Sequence, residues 1–503
     1  MVFADLFFIY VFLPLCLICY GLAKKLSTKN IVLIVFSLIF YAWGEPLWIL
    51  LLLFSSFFNW FIGILIGKFR DTPRAKLAVG GGIFVDILLL LIFKYSAFIV
   101  ENLNAVSGAA IPVPQITLPI GISFYTFQSM GYLIDVYNGK YAPEKNPAKF
   151  ALFVSFFPQL IQGPIARFDQ LENQLVTPHR FDLDGIERGL LLMLWGLFKK
   201  KVIADRALPL VEQVFGSQSQ YGGAVIVVGV LFYSLQQYAD FSGGIDLVTG
   251  IAQLFGIQLA PNFKRPYFSV SLGDFWRRWH ISLGSWMRDY VFYPFALTRP
   301  VSRMSKALKK KAGTHIARAL PAALGNILVF LLVGVWHGAQ MNYVLWGLYN
   351  GVILAFTALV EPVYKRMNDR LPRLTASGGF HVFRILRTFL VVNIGWYFDR
   401  CVRVCDAFAM LHKTFFAFNA QQLFDGTLDT LGLAAKDYRI LLVATIILFV
   451  VSLMQERGVK IRDFVLSRPL ALRWAVLYAF IFFVLATFGG SNVAASGFMY
   501  AVF

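Results

Sequence analysis

The sequence returns again and again to apolar runs long enough to cross a lipid bilayer. They cover about 5–22, 30–43, 47–67, 77–100, 118–137, 148–163, 186–204, 222–241, 244–258, 318–335, 342–360, 383–399, 438–455 and 472–488. A hydrocarbon core takes about 20 helical residues to span. Charged residues make up 15% of the chain and hydrophobic ones 58%, against roughly 25% charged in a soluble domain. The pattern predicts an all-α polytopic membrane protein. Residues 1–503 read as a single integral membrane body without a separate soluble domain. The stretch Met1 to Ile18 lacks a basic lead-in and reads as a retained first span rather than a cleaved signal.

Some runs are short or broken. Pro158 and Pro164 interrupt 148–163, and such segments can re-enter a membrane only where protein or a water-filled cavity shields their backbone. The expectation is about eleven transmembrane helices plus re-entrant and interfacial helices. No internal repeat and no inverted pair of broken helices is visible, which argues against a secondary transporter.

Charge supplies the orientation. The net charge is +19, which on a soluble protein would suggest nucleic acid. Here the basic residues cluster in short segments between apolar runs, the mark of the cytoplasmic side, so a membrane protein with no nucleic-acid partner is expected. Lys24, Lys25 and Lys29 follow the first run. Lys68 to Lys76, Lys140 to Lys149, Pro261 to Lys311, Lys365 to Arg387 and Arg457 to Arg473 are also basic. Glu101 to Pro119, Gly216 to Gly223, Asn419 to Asp437 and Gly489 to Phe503 are uncharged or acidic and should lie outside. Both termini are then expected on the non-cytoplasmic side of the membrane.

Few residues can carry chemistry. Cys16 and Cys19 sit within an apolar run, Cys401 and Cys405 lie one helical turn apart, and no metal site is expected. Of six histidines, His179, His315, His381 and His412 stand in polar or interfacial surroundings. His337 stands in Val333-Gly334-Val335-Trp336-His337-Gly338-Ala339 between two apolar runs, with no charge nearby. An ionisable side chain at membrane depth is a functional candidate by default. A neutral imidazole there could take a proton from a hydroxyl, an aid typically of about 10²–10⁴-fold. Gly334 and Gly338 would leave room beside the ring. His280 lies among Trp276, Arg277, Arg278 and Trp279 and could orient an anionic donor on the inner face; the plainer account is an interfacial helix with snorkelling arginines. For Asp240 and Asp246, which flank Phe241-Ser242-Gly243-Gly244, a structural pair with an arginine of the basic region is expected. There is no P-loop, H-E-x-x-H, G-x-S-x-G or dinucleotide fingerprint.

Several stretches then fall into a familiar order. These are Pro119-Ile120-Gly121-Ile122-Ser123-Phe124, Phe157-Pro158-Gln159-Leu160-Ile161-Gln162-Gly163-Pro164, Asp240-Phe241-Ser242-Gly243-Gly244-Ile245-Asp246, and Pro261-Asn262-Phe263-Lys264-Arg265-Pro266-Tyr267. Phe275-Trp276-Arg277-Arg278-Trp279-His280-Ile281-Ser282-Leu283 follows, with Trp286, Arg288, Asp289 and Tyr290 behind it, then Trp336-His337-Gly338-Ala339 with Leu345-Trp346-Gly347. The chain resembles the membrane-bound O-acyltransferase (MBOAT) family. Within it the likeness is to the bacterial branch holding the alginate O-acetyltransferase membrane subunit, with the teichoic acid D-alanyl transfer protein as a relative. The motif-bearing core is about 119–360.

The resemblance implies helices around a central tunnel, His337 as the essential histidine and His280 as a second, donor-side one. It implies no tightly bound cofactor but an acyl thioester co-substrate, acetyl-CoA or an acyl carrier protein, arriving from the cytoplasm. The acceptor would be a hydroxyl of an extracytoplasmic polymer or of an SGNH-type partner protein. Arg277, Arg278, Trp279, Lys264 and Arg265 are the expected donor-binding residues, and Trp336, Gly338, Asp240, Asp246 and Asp289 the expected supports. The rival readings are D-alanyl transfer to teichoic acid, peptidoglycan O-acetylation, and a transporter or flippase.

Overall fold

The computed structural model describes residues 2–179 and 182–488. It is built of helices, with no strand among the described residues. Eight helices among them are long and apolar enough to cross a membrane: Leu26–Gly44, Ile49–Lys68, Pro73–Ser107, Gly223–Leu254, Arg299–His337, Met341–Leu359, Ala435–Glu456 and Leu470–Thr487. Phe8–Leu22 is a shorter apolar helix. Many apolar side chains stay exposed, among them Phe57, Phe61, Phe84, Phe356 and Leu442, as expected of helices that face lipid. The uncharged stretch 489–503 lies outside the described residues.

One run differs from the sequence reading and another follows it. The break expected around Gly243 is absent, and Gly223–Leu254 is one long helix, whereas Arg299–His337 is interrupted at Gly313, φ +85°, close to the start expected for the run 318–335. The interrupted run 148–163 is as short as its prolines suggest, forming Pro147–Ser155 and Phe157–Leu160, with the side chains from Leu152 to Leu160 buried.

The chain divides into two compact units. The described part of the first takes residues 2–179, 182–200 and 241–260, and that of the second takes 201–240 and 261–488. In the first unit an aromatic core gathers Phe8, Phe12, Phe40 and Phe157. Small residues let its helices touch backbone to backbone. A Cβ on Gly196 would stand 2.6 Å from the Gly243 carbonyl oxygen, and one on Gly250 would stand 2.6 Å from that of Gly189. Glycine therefore serves close helix approach here, not a chain break. Beside this seam, buried Lys199 pairs with Asp246 at 2.7 Å and donates to Ser242 Oγ at 2.8 Å. The partner expected for Asp246 was an arginine of the basic region; the structure supplies a lysine from the neighbouring helical segment instead. Asp240 is buried in the second unit.

In the second unit, Arg299–His337 packs along Met341–Leu359. A Cβ on Gly334 would stand 2.3 Å from the Tyr343 carbonyl oxygen, and one on Gly347 would stand 2.3 Å from the Phe330 carbonyl oxygen. Met341–Leu359 is tied in turn to Gly378–Arg400. Asn342 Nδ2 donates to the Phe398 carbonyl at 3.1 Å, and the Tyr349 hydroxyl to the Val391 carbonyl at 2.7 Å.

Candidate active site

His337 is the last residue of its helix, and Gly338 caps it in an extended conformation. Its ring is 4% exposed and caged by aromatics. Trp346 meets it edge-on at 4.8 Å, Trp336 at 5.1 Å, and Tyr343 lies nearly parallel at 6.3 Å. The flanking glycines do not leave the ring open, as the sequence suggested. The space beside Gly334 is filled by the backbone of Met341–Leu359, and a Cβ on Gly338 would stand 2.3 Å from the Tyr343 ring. Glycine here allows the two helices to close on the imidazole.

His280 is held quite differently. It sits between the short helices Leu272–Arg278 and Ile281–Met287 with φ +47°, the left-handed region that a non-glycine residue rarely occupies. Such conformations persist where the surroundings over-determine them, and they gather at functional sites. The brace is the Pro261–Tyr267 stretch. Asn262 Oδ1 accepts from the Ser282 amide and hydroxyl, both at 2.9 Å, and faces His280 Nδ1 at 3.3 Å. The Asn262 carbonyl accepts from the Ile281 amide, and the Lys264 amide donates to the Arg278 carbonyl. A proton on Nδ1 directed at Asn262 makes Nε2 the lone-pair nitrogen. Burial pushes the imidazole down to about 3, so the ring is neutral at any working pH.

The two histidines share one cavity of about 600 Å³, within the size range of small-molecule sites. Its walls include Trp276, Trp279 and Phe330, and Arg277 and Arg288 stand at its polar edge. The ring of Trp336 packs against both histidines, 5.9 Å from His280.

The expected donor-binding residues separate into two groups. Arg277 lines the cavity with its side chain 74% exposed, and Trp279 lines it from a buried aromatic stack. Arg278 and Arg265 turn to Glu456. Arg278 Nη1 contacts both carboxylate oxygens at 2.9 and 3.1 Å, and Arg265 Nε reaches Oε2 at 2.6 Å. Arg278 also meets Asp274 at 3.2 Å. Lys264 is exposed and does not line the cavity. Asp289 pairs with Arg288 at 2.9 Å. Sequence reasoning passed over Asn262 and Tyr343. Asn262 lay inside a quoted motif, but no spacing rule links it to a histidine eighteen positions on. Tyr343 is separated from His337 by a turn that only the antiparallel packing closes.

Comparison with known proteins identifies the family. Residues 144–394 match the model of the membrane-bound O-acyltransferase family, MBOAT. The chain is 35% identical to the probable alginate O-acetylase AlgI of Pseudomonas syringae pv. tomato, over 84% of this chain and 76% of that one. It is 31% identical to the peptidoglycan O-acetyltransferase of Helicobacter pylori over 80% and 78% of the two chains. With the teichoic acid D-alanyltransferase of Bacillus subtilis it shares 26% identity over 65% and 79%. Buried histidines at the ends of two helical segments, one shared cavity and these relatives lead to one conclusion: the chain belongs to the membrane-bound O-acyltransferase family and is a polytopic membrane O-acyltransferase.

Proposed function

We propose that this enzyme transfers a short acyl group, acetyl, from a cytoplasmic thioester to a hydroxyl on the far side of a bacterial inner membrane. The observation that supports this most is the single cavity lined by both His280 and His337, with Arg277 and Arg288 at its edge. The thioester is acetyl-CoA or an acyl carrier protein. Its phosphates or acidic side chains meet Arg277 and Arg288, which attract anions as charge-assisted donors. Arg278 and Arg265 are held by Glu456 and do not line the cavity. His280, neutral and fixed by Asn262, orients the donor from its Nε2 face.

The acceptor hydroxyl attacks the thioester carbonyl while His337 takes its proton. The new C–O bond forms, the C–S bond breaks, and the imidazolium returns the proton to the departing sulfur. A thiol ionises near 8.5, which makes it a far better leaving group than an alkoxide. The acceptor is an extracytoplasmic polysaccharide or a serine of an SGNH-type partner. The relatives named for alginate and peptidoglycan favour acetyl transfer, and the more distant D-alanyltransferase marks D-alanyl transfer to teichoic acid as the second reading. Residues 1–503 act as one membrane domain with both termini outside and the passage between the faces running past His337.

Purified protein given labelled acetyl-CoA tests the proposal. His337→Ala is expected to abolish transfer while the thermal unfolding transition is kept. Full acetyl transfer by that variant refutes the role of His337. Consumption of a D-alanyl carrier with none of acetyl-CoA selects the second reading, and solute flux without thioester consumption would mark a transporter.

A further inference from the structure

Behind His337, away from the donor cavity, lies a buried carboxylate that the transfer chemistry does not use. Asp399 is 5% exposed, near the end of Gly378–Arg400. Its Oδ2 accepts a hydrogen bond of 2.5 Å from the hydroxyl of Tyr233, itself 2% exposed on Gly223–Leu254. The Asn342–Phe398 and Tyr349–Val391 bonds fix an antiparallel register, which sets Asp399 level with the first residues of Met341–Leu359. Tyr343 stands there. Its chain neighbour Asn342 is the residue bonded to Phe398, next to Asp399, and its ring lies along Gly338 and nearly parallel to His337, 24° between planes. Tyr233, Asp399, Tyr343 and His337 thus form a line across four helices.

A buried carboxylate is costly to hold, and it persists where its partners hold it in one geometry. We propose that Asp399 is a positioning residue of the acyl-transfer site: braced by Tyr233, it sets Tyr343, and through Tyr343 the plane of the His337 imidazole. The inference rests on His337 as the base. It adds a requirement on the acceptor side that the donor cavity does not share.

The test uses the full-length enzyme in detergent with labelled acetyl-CoA and its acceptor. Asp399→Leu removes the acceptor of the Tyr233 bond at similar volume, and Asp399→Asn keeps an oxygen there. Reorienting a catalytic group by a fraction of an ångström lowers kcat by roughly tenfold or more. Asp399→Leu is expected to show that fall with the KM for acetyl-CoA unchanged, and Asp399→Asn to restore most of it. Tyr233→Phe, which deletes one hydroxyl and leaves the ring, gives the same split if the leucine variant does not fold. Wild-type kcat in Asp399→Leu or Tyr233→Phe overturns the proposal. So does an asparagine variant as slow as the leucine one, because the role assigned is geometric. A fully active His337→Ala in the same assay sinks the base assignment instead, and the two failures stay distinct.

Discussion

Adding one methyl group at Gly334 should disable the enzyme without touching either histidine. In Gly334→Ala the new Cβ would stand 2.3 Å from the Tyr343 carbonyl oxygen and 3.1 Å from Gly347 Cα. Ordinary carbon contacts begin near 3.5 Å. Both neighbours are backbone, so no side chain can swing aside, and the helices must part by about 1 Å at this crossing. His337 lies three residues further along the same helix, and Tyr343 belongs to the helix that would be displaced. The imidazole and its aromatic cage therefore shift against each other by a similar amount. A misplacement of about 1 Å can cost on the order of 10²-fold in rate, and overpacking costs about 1–3 kcal/mol of stability. His280 and Arg277 are braced by other segments, so donor binding should survive. Steady-state transfer from labelled acetyl-CoA should show kcat reduced by about two orders of magnitude with KM for the donor little changed. Wild-type kcat in a folded Gly334→Ala protein would show that the glycine seam does not set the position of His337, and the reasoning from backbone contact would fail.

Further outcomes follow from other parts of the structure. Arg277→Ala should raise KM for acetyl-CoA several-fold, more at low salt, with thermal stability unchanged; Arg278→Ala should instead lower the melting temperature, because it strips Glu456 and Asp274 of a shared guanidinium. Equal KM effects from the two variants would contradict that division. Burial holds the His280 ring at about 3 when folded, against about 6.5 in an unfolded chain. The unfolded state then binds a proton the folded one refuses, so the stability contributed by the neutral ring is complete above about pH 6.5 and is lost as pH falls toward 3. Melting temperatures between pH 7.5 and 5 should drop more for wild type than for His280→Gln, and parallel curves would refute a buried neutral ring. Lys199→Met leaves Asp246, with 27% of its side chain exposed, without its 2.7 Å partner; a loss of about 2 kcal/mol is expected in denaturant unfolding, and no loss would mean that water already solvates the pair.

Much of this was legible in the residues, for a physical reason. A bilayer punishes unsatisfied backbone and charge so heavily that long apolar runs can be little else than helices. The same penalty singled out His337, an ionisable group with no neighbouring charge in the sequence. What the sequence did not show is direction. Arg277 and Arg278 are adjacent, and one helical step of about 100° sends one toward the cavity and the other toward Glu456, a residue 178 positions away. Asp246 met a lysine rather than an arginine for the same reason. Charge pairing across helices depends on rotation about their axes, which neither hydropathy nor loop charge encodes. Glycine is used in two ways: at Gly313, φ +85°, its backbone freedom parts the helix ahead of residue 318, whereas the break expected at Gly243 is absent because there glycine acts through the side chain it lacks.

That second use of glycine bears directly on the chemistry. Lipid tails are as apolar as leucine, so helices in a membrane gain little by burying bulky side chains against each other, and they pack firmly where small residues let backbones meet. At Gly334 and Gly347 that contact lies just below the His337 ring, and Tyr343 closes over Gly338 above it. The imidazole is thereby mounted on two rigid backbones in direct register, not on a loop. His280 reaches the same cavity from a strained turn whose geometry is dictated by three contacts to Asn262 Oδ1. One histidine is fixed by what has been removed from its helix, the other by what has been added beside its turn. In the proposed reaction, thioester and hydroxyl come from opposite faces and must meet at a fixed point. An enzyme that relied on a mobile side chain there would lose the near-attack geometry that supplies much of its rate.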